Sequence, residues 1–134
     1  MKPIVFIRNN RGNAVVEFAF VLPLLLLLCF GITEFGRAWM TKSVLTSAAR
    51  EGARLAAVTA PDVAAVTARV QAVCDAANVT PSAITVTPPD PADPDRKVTV
   101  RVETNFVVLS AKMLESFKGS VPMSSETTMR HEGL

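Results

Sequence analysis

The fold is decided by an apolar stretch at residues 13–33, NAVVEFAFVLPLLLLLCFGIT, in which Glu17 is the single charged side chain. As a helix rising about 1.5 Å per residue, these residues are long enough to cross the roughly 30 Å hydrocarbon core of a bilayer. We therefore predict a transmembrane segment at residues 13–33. It separates a short basic leader, residues 1–12, from residues 34–134.

The charges around this stretch predict its orientation. The leader carries Lys2, Arg8 and Arg11, whereas residues 34–134 carry eleven basic and eleven acidic side chains. Because basic flanks favour the cytoplasmic side of a membrane, we expect the leader in the cytoplasm, a single pass through the membrane, and residues 34–134 outside. A nucleic-acid partner is excluded, since that class needs clustered Lys and Arg on the folded domain.

A secretory signal peptide is the main competing interpretation of this end of the chain. It also combines a basic start with an apolar stretch, but it needs a small-x-small cleavage site after the stretch. The nearest match is Gly36-Arg37-Ala38, which is crowded by Glu34 and by its own arginine. Retention in the membrane is therefore favoured.

Glu17 has two interpretations. A carboxylate well inside a bilayer costs roughly 2.5 to 3.5 kcal/mol on insertion scales, which makes it a functional candidate. It either lies near the cytoplasmic interface, where no partner is needed, or it meets a cation. A cut after Gly12 would create such a cation, because the new α-amine of Asn13 would lie four residues before Glu17 at the positive end of the helix.

These residues resemble a known signal. A glycine preceded by basic residues, Gly12, with Glu17 and Phe18 after it and a long apolar helix beyond, is similar to the class III signal of type IV pilins. The pattern G-x-x-x-x-E-F, continued by Pro23 and by AAREGARLAAV at residues 48–58, resembles the TadE-like pseudopilins of the Tad (Flp, tight-adherence) pilus system.

The resemblance implies a processed, non-enzymatic pilus component. A prepilin peptidase would cut between Gly12 and Asn13, after the basic leader containing Arg8 and Arg11. Glu17, followed by Phe18, would act in recognition and assembly. The implied partners are other pilins or pseudopilins and Tad assembly proteins, and the implied role is that of a minor subunit in pilus assembly and surface adherence.

Two alternatives stay open at this point. One is an uncleaved single-pass envelope anchor whose outer domain binds a ligand or scaffolds a complex, with an intact N-terminus and tolerance of Glu17→Gln. The other is a secreted domain released near Ala38.

The apolar pattern continues past Glu34 and predicts one helix from about Ala14 to Thr59, roughly 70 Å long at the usual rise per residue. Pro23 either bends this helix to help packing or is a tolerated membrane proline. Beyond the membrane, small residues share one helix face, and this packing face is centred on Ala49, Gly52 and Ala56. We expect it to bury against its own domain, with a neighbouring subunit as the alternative.

The remaining sequence predicts an α+β fold with a small antiparallel sheet. Pro61 and Asp62 suit the start of a second helix, whose predicted buried stripe is Val63, Val66, Val70, Val73 and Ala77. Alternating residues predict strands at 84–87 and 98–103, separated by a Pro-rich loop at 88–96. A short helix at 110–117 and a weaker third strand at 121–129 complete the prediction.

No residue constellation indicates chemistry. His131 is the single histidine and is expected in a solvated tail, so neither a zinc site nor a nucleophile-base pair can be drawn. Cys29 is expected in the membrane and Cys74 half-buried in the outer domain, too far apart for a disulfide. We therefore expect no catalytic residue, metal, cofactor or small-molecule substrate.

Overall fold

A computed structural model describes residues 10–58, 62–109 and 119–131 of the chain. Its first element, helix α1, runs over Asn10–Val58 without a break, which confirms the predicted long helix. The helix continues through the charged residues Glu34 and Arg37, whose side chains lie one turn apart and pair at 2.9 Å. Pro23 lies in the helix interior.

Helix α2, Val63–Ala76, begins at a side-chain cap. Asp62 precedes it in an extended conformation, and its Oδ1 accepts hydrogen bonds from the backbone N–H groups of Ala64 at 3.0 Å and Ala65 at 3.4 Å. The first turn of a helix leaves these donors without intrahelical partners, so the aspartate fixes where α2 starts.

The sheet has three antiparallel strands in the order β1-β2-β3. They are β1, Ala83–Thr87, β2, Lys97–Val107, and β3, Ser120–Arg130. Alternate valines of β2 face inward and are fully buried, namely Val98, Val100 and Val102. The predicted α+β fold is confirmed, although β3 is as long as β2 rather than weaker. The predicted helix at 110–117 lies outside the described residues.

One core joins the C-terminal half of α1 to α2 and the inner face of the sheet. The largest fully buried side chains come from all three: Leu45, Val66, Val70, Val98, Val100, Val102 and Cys74. At Gly52, α1 closely approaches both α2 and the sheet, because a Cβ placed there would be 2.5 Å from Val70 Cγ2 and 3.2 Å from Val100 Cγ1.

The strands run in defined directions along α1. Val100, near the start of β2, is level with Gly52, and the Phe106 ring, near the end of β2, lies 5.2 Å from the Arg37 guanidinium. Since Arg37 precedes Gly52 along α1, β2 is antiparallel to the helix and β3 returns parallel to it.

The end of β2 and the start of β3 therefore meet beside the part of α1 nearest the apolar stretch. We call this part of the domain, residues 105–109 and 119–122, the proximal end. The opposite end carries the loop at 88–96 and the start of α2.

The buried stripe of α2 differs from its prediction, since Val73 and Ala77 are only partly buried and Ala77 follows the last residue of the helix. Val63 is exposed, because the stripe advances by four residues through Val66, Val70 and Cys74 and leaves the first turn outside the packed region. Cys74 is fully buried, not half-buried, because it continues that stripe. Burial raises the pKa of its thiol, and both Cys29 and Cys74 are free thiols.

The expectation of a solvated tail at His131 is wrong. Its backbone N–H donates to Arg96 O at 2.8 Å, which extends the pairing of β2 and β3 by one step. Its Nδ1 lies 3.1 Å from Ala56 O near the end of α1. The ring is half-buried because β3 returns along α1 and delivers the residue after it to the helix.

Candidate functional site

Glu17 lies on the exposed surface of α1, within a part of the helix that contacts no other element. Its Oε1 accepts a hydrogen bond from Asn13 Nδ2 at 2.8 Å. These residues are four apart, so their side chains are neighbours on one helix face. From Gly12 to Thr33, Glu17 is the single charged side chain, and its partner here is a neutral amide.

The Gly12–Asn13 bond lies in the first turn of α1, which begins at Asn10. A Cβ placed at Gly12 would meet no atom within 4 Å, so no packing holds this position. An extended backbone at this bond would therefore require the first turn to unwind, and the ends of a helix are the parts that fray most easily. Arg8 lies outside the described residues, as does the side chain of Arg11.

The apolar part of α1 after Glu17 is exposed along its whole length. Phe18 is exposed beside Glu17, and Leu24 to Leu28 and Phe30 follow with about half or more of each side chain exposed. Pro23 sits among them inside the helix. Exposed leucines in such numbers are far from the ordinary surface of a soluble protein and indicate a surface that meets an apolar environment.

The small-residue face of α1 is occupied by the chain's own domain. Ala49 and Ala56 are fully buried, and Gly52 lies against Val70 of α2. The structure adds Ala53 to this face, also fully buried. Its spacing of four residues from Ala49 was the signal in the sequence that could have identified it.

A cluster of charged side chains joins α1 to α2 on the outer surface. Glu51 Oε1 lies 2.8 Å from Arg54 Nη2 and 2.9 Å from Arg69 Nη2. Hydrogen bonds from Arg54 and then Arg69 lower the pKa of Glu51 from 4.5 to about 2. Glu51 precedes Arg54 by three residues, so the two side chains lie one turn apart on α1.

The long apolar helix and the folded domain that it carries together define a class of protein. Among the described residues, one helix is long and apolar enough to cross a membrane, and its C-terminal half carries an α+β domain. Within the same described ranges, no group of three or more His, Cys, Asp or Glu side chains is placed to hold a metal ion. The layout fits a single-pass membrane anchor with a folded C-terminal domain.

The comparison with protein families finds a match in the N-terminal part of the chain. The model of the TadE-like protein family matches residues 12–54, from Gly12 through the apolar stretch and into the buried half of α1. This confirms the resemblance to TadE-like proteins over that part of the chain. No curated protein and no solved structure matches the chain.

Proposed function

We propose that the chain is a TadE-like pseudopilin, a minor subunit that takes part in the assembly of a Tad (Flp) pilus and so in surface adherence. Residues 1–12 are its cytoplasmic leader, residues 13–33 cross the inner membrane, and residues 34–134 form the outer α+β domain. The observation that carries the proposal is the position of Glu17, alone on an exposed apolar helix and one turn from Asn13.

Glu17 needs a cation once its helix is packed among apolar neighbours. A charge inside the bilayer costs roughly 2.5 to 3.5 kcal/mol on insertion scales, and a neutral amide such as that of Asn13 offsets little of this. Cleavage after Gly12 supplies the missing charge, because the α-amine of Asn13 then lies on the face that carries Glu17. The same amine on one subunit can reach the carboxylate of the next.

Cleavage itself requires access to a helical bond. Glycine disfavours a helix by about 1 kcal/mol relative to alanine, and Gly12 has no packing partner within 4 Å. The first turn therefore unwinds at low cost for a membrane-embedded prepilin peptidase. The leader's Arg8 and Arg11 hold this bond at the cytoplasmic interface, and Phe18 marks the start of the apolar helix beside Glu17.

Contacts with other pilins use the membrane half of the helix. The small residues around Gly52 are occupied by the chain's own domain, so they are not offered to a neighbour. The exposed apolar surface that includes Pro23 is free to pack against similar helices. Pro23 has no backbone N–H, and neighbouring helices can supply a donor to the carbonyl one turn earlier that is left without one.

The first experiment is the mass and N-terminal sequence of the membrane-extracted chain, with and without a co-expressed prepilin peptidase. We expect a chain beginning at Asn13 only when the peptidase is present. Gly12→Ala should block cleavage, whereas the matched control Gly31→Ala, another helix glycine with open space around it, should be cleaved normally. An N-terminus at Met1 or Lys2 in every sample supports the uncleaved anchor instead.

A second experiment separates processing from assembly. Glu17→Gln should be cleaved and membrane-bound but should lose most pilus assembly, because the neutral amide cannot pair with an α-amine. The control Glu34→Gln changes a carboxylate that already pairs with Arg37 outside the apolar stretch, and it should assemble. Normal assembly by Glu17→Gln would contradict the role of Glu17 and favour an anchor that binds or scaffolds through its outer domain.

A further inference from the structure

Two aromatic side chains lie exposed on α1 just beyond the apolar stretch. Phe35 and Trp39 are each 70% exposed, and their rings stack with centroids 6.4 Å apart. At about 1.5 Å per residue, they lie about 3 and 9 Å beyond Thr33 along the helix axis. Aromatic residues are enriched at this depth, where a bilayer changes from hydrocarbon to headgroups.

Strand β3 runs along the side of α1 that carries these aromatics. Lys42 Nζ donates to Ser124 O, and Thr46 Oγ1 lies 3.0 Å from Ser125 Oγ. Lys42 and Thr46 follow Phe35 at seven and eleven residues, a spacing that keeps them on one helix face. The start of β3 therefore lies on the aromatic side of the helix.

The proximal end brings three more exposed apolar side chains to the same level. Val107, Leu109 and Val121 are each about half exposed. Phe106 is level with Arg37, and β2 runs toward the apolar part of α1 from there. The Val108 N–H donates to Gly119 O at 3.2 Å, so strand pairing continues one residue further in that direction.

The distances place this end at the membrane surface. Arg37 lies about 6 Å beyond Thr33 along the helix, and an extended chain covers about 3.3 Å per residue. The pairing of β2 continues to Val108, two residues after Phe106, so Leu109, the next residue, can reach the level at which the apolar stretch ends. The headgroup layer is itself several Å thick.

We propose that Phe35, Trp39, Val107, Leu109 and Val121, which we call the proximal surface, insert into the headgroup layer of the bilayer that anchors the chain. The inference rests on the membrane anchoring in the proposed function. The proximal surface contacts lipid and not protein, because it is continuous with the apolar stretch through the same unbroken helix. The outer domain is then held against the membrane in one orientation, with its opposite end directed away.

Among the residues of this end that the structure describes, the contact is apolar rather than electrostatic. Arg37 at this level pairs with Glu34 at 2.9 Å, and Lys42 is bonded to the Ser124 carbonyl, so neither cation is left to select anionic lipid. Attraction to anionic headgroups comes from clusters of several basic residues. Zwitterionic lipid should therefore be sufficient, and salt should have little effect.

Trp39 is the only tryptophan of the chain, which allows a direct test. The full-length chain is reconstituted in phosphatidylcholine vesicles, with or without bromine on the acyl carbons nearest the headgroup. In a Trp39→Phe background, Val107→Trp places the reporter on the proximal surface. Val58→Trp is the control at an exposed valine of the opposite end, and Leu27→Trp is the control within the span. Protection of Cys74 from alkylation checks that each variant folds.

We expect Trp39 in the native chain, Val107→Trp and Leu27→Trp to lose most of their emission in brominated vesicles, and Val58→Trp to keep it, at low and high salt alike. If Val107→Trp keeps its emission while Leu27→Trp loses it, the chain is anchored but the inference is wrong. If Leu27→Trp also keeps its emission, the anchoring fails and the inference with it.

Quenching that requires phosphatidylserine would overturn the apolar contact. If the emission of Val107→Trp changes with the number of protein chains per vesicle and not with bromine, the surface contacts a second copy of the chain and the inference is wrong.

Discussion

The two halves of α1 are both apolar, yet they are buried to opposite extents. In the N-terminal half the side chains are large, and Leu27 is 71% exposed. In the C-terminal half the inward side chains are mostly alanines, and Ala49, Ala53 and Ala56 are fully buried. Hydrophobicity alone therefore does not decide which part of this helix enters the protein core.

Side-chain size accounts for the difference. Lipid tails adapt to any apolar shape, so large side chains facing them need no complementary partner. A sheet and a second helix have fixed shapes, and α1 approaches them closely enough that a Cβ at Gly52 would be 2.5 Å from Val70 Cγ2. Close packing of this kind selects small residues.

The largest effect that tests this comparison comes from two leucines. Leu45→Ala removes a fully buried side chain and should lower the free energy of unfolding by about 2 to 5 kcal/mol. Leu27→Ala, in the exposed half, should change the stability of the α+β domain by no more than about 0.5 kcal/mol. The measurement is the urea dependence of Cys74 alkylation in detergent, in a Cys29→Ala background. Equal effects at the two positions would mean that the halves do not differ in packing.

The next effect compares two glycines of the same helix. Gly52→Ala forces a Cβ against Val70, a β-branched side chain with little freedom to move, and overpacking of this kind costs about 1 to 3 kcal/mol. Gly36→Ala meets no atom within 4 Å, so it should be neutral or stabilising by up to about 1 kcal/mol. Both are measured by the same alkylation assay. Stabilisation by Gly52→Ala would show that α1 can move away from α2 at little cost.

The smallest effect concerns Glu51, which lies on the solvent-facing side of the C-terminal half of α1. Because the pKa of Glu51 falls from 4.5 in its ordinary state to about 2 in the folded chain, its contribution to stability is present above about pH 4.5 and is lost as pH falls toward 2. Glu51→Gln should remove this part of the pH dependence. The effect is small, since exposed ion pairs are screened by water and salt.

The contribution of Glu51 is measured by urea unfolding between about pH 2 and pH 6, at low and high salt. Arg69→Gln, which cuts the link from α2, should remove part of the dependence. The matched control Arg50→Gln removes a cation from the same helix outside this cluster and should leave the dependence in place. An unchanged profile in Glu51→Gln would show that the cluster does not couple the two helices.

Much of the fold was predictable because its signals are local. The unbroken apolar pattern predicted α1, Asp62 marked the start of α2, and the alternation of Val98, Val100 and Val102 predicted β2. The errors were at positions whose burial depends on distant chain segments. Val63 had the right spacing but lies in a first turn outside the packed region, and Cys74 is buried where half-burial was expected.

The candidate site shows the same division. The residue types around Gly12 and Glu17 are local and led to the TadE-like resemblance from sequence, which the family match at residues 12–54 then confirmed. Their roles in processing and assembly remain predictions. His131 was misplaced, since its neighbour is Ala56, which lies 75 residues earlier in the chain.

The sequence by itself determined the long helix, its apolar half, the lone carboxylate and the α+β class, because periodicity and charge act over a few neighbouring residues. Only the tertiary structure decided that the small-residue face is covered by the chain's own domain, that Glu51 links α1 to α2, and that the proximal end lies beside the aromatics of α1. These contacts join residues far apart in sequence, and they follow from how the helices and strands pack, which no local pattern specifies.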